Sequence, residues 1–315
     1  MRPIRGIASV AALAALLVGC GTQQADDASE SRAGSGGTPK VERLPLDELP
    51  TAPTKGLAKG LTLPLDDYAT SAVDGYAWKV AVQDQWRACM ARYGFSDFGP
   101  PQISEQSAIA QADSALGRRY GISDLDLAKK FGYHLPTGVP ETSYWEPAAG
   151  AESAVFTGAG AEVDGGTYAG KAVPKGGCRG ETTRMYPMPR TPEAEQVGIT
   201  VFEETRKNPE VVKAVAQWVS CMKQKGYERS HPLEDLGKLG LSPSAPTVGS
   251  EEIAQAVADV SCKGESGLIG VWNAQESAGQ EKAIKGNAAK LAKEKSVKDK
   301  NTAKVRQAYE AAVNS

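Results

Sequence analysis

Histidine is nearly missing: the 315 residues hold only His134 and His231. His134 stands two residues before Pro136 and His231 directly before Pro232, so both read as loop or capping residues rather than general bases. The H-E-x-x-H, G-x-S-x-G, P-loop and G-x-G-x-x-G patterns are also absent, which removes the motif basis for zincin, serine-hydrolase and nucleotide-cradling chemistry. No C-x-x-C pair occurs and the cysteines lie far from both histidines, so neither a metal site nor a cofactor is expected. No apolar run reaches the roughly 20 residues that a membrane-spanning helix needs. Neither sign of charge dominates: 36 basic residues face 38 acidic ones for a net of -2, which argues against nucleic acid as a partner. Period-two alternation of useful length is missing as well, so the expected fold is all-α. The alternating strand and helix pattern of an α/β solute-binding protein is not there.

What is present is a stretch that occurs twice. Trp86-Arg-Ala-Cys89-Met90-Ala-Arg-Tyr-Gly94-Phe95 and Trp218-Val-Ser-Cys221-Met222-Lys-Gln-Lys-Gly226-Tyr227 share W-x-x-C-M-x-x-x-G-[FY]. Each is followed downstream by a cysteine in C-[RK]-G-E, namely Cys178 to Glu181 and Cys262 to Glu265, so the chain reads as a diverged internal duplication. Val211, Val215, Trp218 and Met222 recur at helical spacing and mark a face that must be buried. Gly94 and Gly226 stand where a left-handed residue closes a helix, and the aromatic that follows can fold back on the last turn.

Cys89, Cys178, Cys221 and Cys262 form an even set once Cys20 is set aside, and disulfides are expected. Three pairings are possible. The repeat favours one bridge per copy, Cys89 with Cys178 and Cys221 with Cys262; the competing arrangement joins Cys89 to Cys221 across two helices packed side by side.

Arg2 and Arg5 precede an apolar run from Ile7 to Val18 that ends in Leu17-Val18-Gly19-Cys20. This stretch resembles the lipobox of bacterial lipoproteins. The resemblance implies a signal peptide over 1–19, cleavage before Cys20, and a diacylglyceryl thioether on its sulfur, with the membrane as partner through that anchor. The region from Trp86 to Glu265 resembles secreted lipoproteins of filamentous actinobacteria, which carry W-x-x-C-M-x-x-x-G-Y and a later C-x-G-E. That likeness implies a cell-envelope location and a disulfide-stapled helical domain, with no activity to transfer.

Residues 20–63 are rich in Gln, Asp, Ser, Gly and Pro and are expected to form a disordered tether. The first helical repeat is placed at 64–190, with a helix over about 66–93, another from Ser104 to Ala115, and a short one over 123–131 capped by Ser123. Between 132 and 177 periodicity disappears and proline alternates with glycine, so a long irregular loop is expected there. Tyr144, Trp145 and Phe156 within it are the candidate binding residues, as walls of an aromatic groove. The second repeat is placed at 191–315, with Thr191-Pro192 and Asn208-Pro209 as helix starts, a helix from Ser250, and a long Lys- and Ala-rich C-terminal helix.

The expected role is a non-enzymatic binding or accessory module, held at the outer face of the cytoplasmic membrane and meeting an envelope protein or a cell-wall polymer. One alternative is a cell-wall-active enzyme using Glu181 and Glu265 as paired carboxylates. The other is a solute-binding component of a transporter.

Overall fold

The computed structural model describes residues 43–136, 145–234, 237 and 247–313. Among them the fold is all-α and stapled by two disulfides, with one two-residue β-hairpin. The helices are α1 (Ala72–Ala91), α2 (Glu105–Gly117), α3 (Leu125–Phe131), α4 (Ala151–Thr157), α5 (Gly177–Met185), α6 (Pro192–Thr205), α7 (Pro209–Gln224), α8 (Ser250–Ser266), α9 (Leu268–Gly286) and α10 (Ala288–Val313).

Both repeat motifs end a helix in the same way. Gly94 and Gly226 adopt φ values of 92° and 89°. The Phe95 amide then donates to the Met90 carbonyl at 3.2 Å, and the Tyr227 amide to the Met222 carbonyl at 3.0 Å. These are the long bonds of a Schellman closure, and the left-handed glycine is what lets the chain turn back to make them. The bridges are Cys89–Cys178, with Cα atoms 5.7 Å apart, and Cys221–Cys262, at 5.6 Å. The first ties α1 to α5 and the second α7 to α8. The third position after the second cysteine is ion-paired in each copy, Glu181 to Arg92 at 2.7 Å and Glu265 to Lys225 at 3.1 Å. In both copies the cation comes from the turn that closes the first helix.

The second copy holds the largest apolar core. Val211, Ala214, Trp218 and Met222 of α7 are buried against α8 and α9, where they meet Cys262, Leu268, Ile269 and Trp272, and Leu116 and Tyr120 of the first copy join the same cluster. Asn208 caps α7 by accepting from the Glu210 amide at 2.9 Å, with Pro209 in the first turn, as the N-P-E sequence predicts.

The two copies do not form separate lobes. Helix α10 lies along α1, with the Tyr76 and Tyr309 rings 5.7 Å apart and Arg306 paired to Asp74 at 2.7 Å. Helix α3, which belongs to the first copy by sequence, packs on α8 of the second. The first helix is therefore covered by α2, α5 and α10 together, instead of burying one side only. The expected tether also ends early. Arg43 clasps Asp84 at 2.8 and 3.0 Å, Leu46 and Leu49 are buried in the α1–α10 core, and Ala58 and Leu63 are buried in the α7–α9 core. Leu44, Leu46, Leu49, Leu57, Leu61 and Leu63 follow no helical or strand period, so this packing left no signal in the sequence. The C-terminal stretch, expected as one long helix, is two helices broken at Asn287, and α10 buries Leu291, Val305 and Tyr309.

The expected loop is folded over its described residues 145–177. It contains α4, a 3-10 turn at Ala161–Gly166 and the hairpin β1 (Thr167–Tyr168) with β2 (Lys171–Ala172). Gly158 and Gly177 mark backbone contact rather than looseness: a Cβ on Gly177 would lie 2.3 Å from the Phe156 carbonyl oxygen, and one on Gly158 2.3 Å from the Gly177 amide nitrogen.

Candidate functional site

The aromatic residues expected to wall a groove fill a core instead. Phe156 is 5% exposed, Trp145 stacks on Trp86 with centroids 6.4 Å apart, and Phe98 meets Trp145 edge-on and Phe156 at a tilt, each with centroids 5.0 Å apart. Together with Cys89 and Cys178 they form the packed lobe around the first disulfide. Tyr144 and Cys20 lie outside the described residues. Glu181 and Glu265, considered as a catalytic pair, are each held by the cation of their own copy. The ligand atoms of Cys221, Cys262 and Glu265 come within 4.8 Å of one another, but both sulfurs are spent on the bridge and no thiolate is left for a metal.

The structure places a cavity elsewhere, between α2 and α3, of about 160 Å³. Ile109 of α2, Ile122 of the connection and Leu127 of α3 give it an apolar side. Lys55, Asp113, Arg118 and Asp124 supply the polar side.

Each wall is fixed by short-range bonding. Asp124 caps α3 by accepting from the Leu127 amide at 2.9 Å. Ser123, expected as that cap, instead donates its hydroxyl to the Gly117 carbonyl at 2.5 Å and folds the connection onto the end of α2. The strap before the first helix closes one edge. The Thr54 amide and hydroxyl donate to Asp113 at 2.7 and 2.8 Å, and the Leu57 amide donates to the Ser123 carbonyl at 2.9 Å. Gly56 permits this approach, because a Cβ there would meet the Ser123 carbonyl oxygen at 2.7 Å and φ is 70°.

The far wall is held from α8. Glu252 accepts from the Tyr133 amide at 3.0 Å, and Lys263, 1% exposed, donates to the Ile122 carbonyl at 2.9 Å. Lys263 is balanced by Asp259 at 3.0 Å, which also accepts from the Trp218 indole at 2.9 Å. Arg229, whose side chain is fully buried, donates to the Tyr133 hydroxyl at 2.8 Å and lies over the rings of Tyr133 and Trp218. Burial pushes the Lys263 ammonium pKa down against the opposing pull of Asp259. The site is thus carried by α2 and α3, inserted between the cysteines of the first copy, and braced by the stapled α7–α8 pair of the second.

Arg118 differs from its neighbours in this wall. It donates to the Tyr133 carbonyl at 2.6 Å and to the His134 carbonyl at 3.4 Å, and among the described residues no carboxylate pairs with it. Burial alone pushes its pKa down. Asp113 is taken up by Thr54 and Lys55, and Asp124 by the end of α3. The adjacent Arg119 is the opposite case. It grips the fully buried Glu276 with two nitrogens and stacks on Phe202 at 4.9 Å, while the Tyr120 hydroxyl and the Gln280 amide complete the carboxylate's shell at 2.9 Å each. An open cleft beside α6 exposes this network but offers no uncompensated charge from it. In the sequence the pair Arg118-Arg119 looks like two ordinary cations near a helix C-terminus, and nothing there separates the paired one from the unpaired one.

No protein-family model, curated protein or solved structure matches the chain.

Proposed function

We propose that the protein is a lipid-anchored, extracytoplasmic binding module of the cell envelope. The address rests on the Leu17-to-Cys20 stretch and on the two disulfides, which persist in oxidising compartments and are rare in the reducing cytosol. A thioether-linked diacylglyceryl group gives two acyl chains, enough for stable attachment where one chain is marginal. The binding role rests on a single observation: an apolar cavity between α2 and α3 whose wall includes a half-buried guanidinium that no carboxylate pairs with among the described residues. Largely apolar pockets with a few oriented polar groups are the usual form of small-ligand sites.

Mass analysis of the chain extracted from membranes, with a non-reducing peptide map, tests the address. The expected result is lipid on Cys20 together with the Cys89–Cys178 and Cys221–Cys262 peptides. A chain recovered unlipidated from the soluble fraction would overturn the anchored reading.

A further inference from the structure

We infer that the α2–α3 cavity takes a small monocarboxylate with a compact apolar body, its carboxylate on Arg118 and its body against Ile109, Ile122 and Leu127. The inference rests on the binding-module reading and names the ligand class of that same site.

Charge is the first argument. A guanidinium carries five N–H donors, and Arg118 spends bonds on only two carbonyl oxygens, those of Tyr133 and His134. A half-desolvated cation is costly unless paired, and each acid of the cavity wall is already engaged, Asp113 by Thr54 and Lys55 and Asp124 by the Leu127 amide. From α8 the buried Lys263 adds a second positive charge to these surroundings, while the buried Glu252 is engaged by the Tyr133 amide. An incoming anion therefore meets an unpaired donor instead of displacing a protein carboxylate. The planar fork of arginine matches a carboxylate in bidentate geometry.

Size is the second argument. At about 160 Å³ the cavity accommodates one benzene-sized group, so the body is a single ring or a short branched chain rather than a long acyl chain or a sugar polymer. The third argument is rigidity. The Arg118-accepting carbonyls belong to a turn pinned by Glu252 and Arg229, so the guanidinium is oriented before the ligand arrives.

The test uses the full oxidised chain, in lipid nanodiscs if it carries lipid and in plain buffer if it does not, titrated calorimetrically with benzoate and with its neutral isostere benzamide in a buffer free of carboxylates. Benzoate should bind about tenfold or more tightly than benzamide, the difference expected of a charge-assisted bond. Arg118→Gln should remove that preference, Arg118→Lys should keep part of it, and Ala110→Phe, which fills the cavity, should abolish binding of both probes. Equal binding of the two probes, or no binding of benzoate, overturns the inference on the wild-type protein alone, whether or not the variants fold. Either result leaves the lipid on Cys20 untouched, and absence of that lipid leaves the titration untouched, so the two readings fail separately.

Discussion

Trp86 and Trp218 occupy the same place in the two copies but differ in what their indoles do. Trp218 donates to the buried Asp259, whereas the buried Trp86 nitrogen has no partner among the described residues. Trp218→Phe should therefore destabilise the protein by about 2 kcal/mol more than Trp86→Phe, because it withdraws a bond from a carboxylate that stays buried. Urea unfolding of the two variants measures the difference. His231 gives a pH prediction. Its Nδ1 accepts from the Leu233 amide at 3.1 Å, its ring meets the edge of Trp272, and burial pushes its pKa below the ordinary 6.5. The unfolded chain then binds the proton more readily, so this group's contribution is present above pH 6.5 and is lost as the pH falls through the lower folded value. His231→Gln should flatten that acid-side loss in urea midpoints recorded across the range. At this scale the caps were partly legible. Asn208 could be read because its side chain and Pro209 act within one turn, whereas the choice between Ser123 and Asp124 as cap depends on where Gly117 lies in space. Arg118 was illegible for the same reason, since an unpaired cation is defined by what fails to approach it.

The staples and the helices they join form the next level. Opening either bridge by a Cys→Ala pair should cost about 4 kcal/mol on the loop-entropy estimate, somewhat more for Cys89–Cys178, whose cysteines are 89 residues apart against 41. The local consequences should differ. Loss of Cys221–Cys262 frees α8, on which α3 packs, so hydrogen exchange at α3 and at the Tyr133 amide should accelerate, while loss of Cys89–Cys178 should be felt first in α4 and the hairpin. An unchanged α3 exchange rate after opening Cys221–Cys262 would contradict the bracing role assigned to α8. The pairing of cysteines within copies and the stripe on α7 were readable from the repeat, because both are local or duplicated signals. The lobe at 145–177 was not, because its order comes from Phe98, Trp86 and the first bridge closing over short, glycine-rich segments. Low periodicity looks the same whether a segment is loose or is packed by partners far away in sequence.

Across the whole molecule the two copies share one framework, and the segment before the first helix is part of it. A chain beginning at residue 43 keeps every described contact of the segment before α1 and serves as the reference. One beginning at residue 64 loses the buried Leu46, Leu49, Ala58 and Leu63 and should be less stable by several kcal/mol, as read from thermal midpoints. The all-α class was legible at this scale because helical periodicity and the absence of alternation are averages over many residues. The interlocking of the copies was not, since the pattern on α10 shows an apolar stripe but not which helix it meets. That interlock sets an order of events. A ribosome or an export channel delivers the chain from its N-terminus, so α1 emerges early yet stays uncovered along one side until the last 26-residue helix arrives. The domain therefore cannot finish assembling while it is still being delivered. Any factor guarding the nascent chain must shield Tyr76, Val80 and their neighbours until α10 has been delivered.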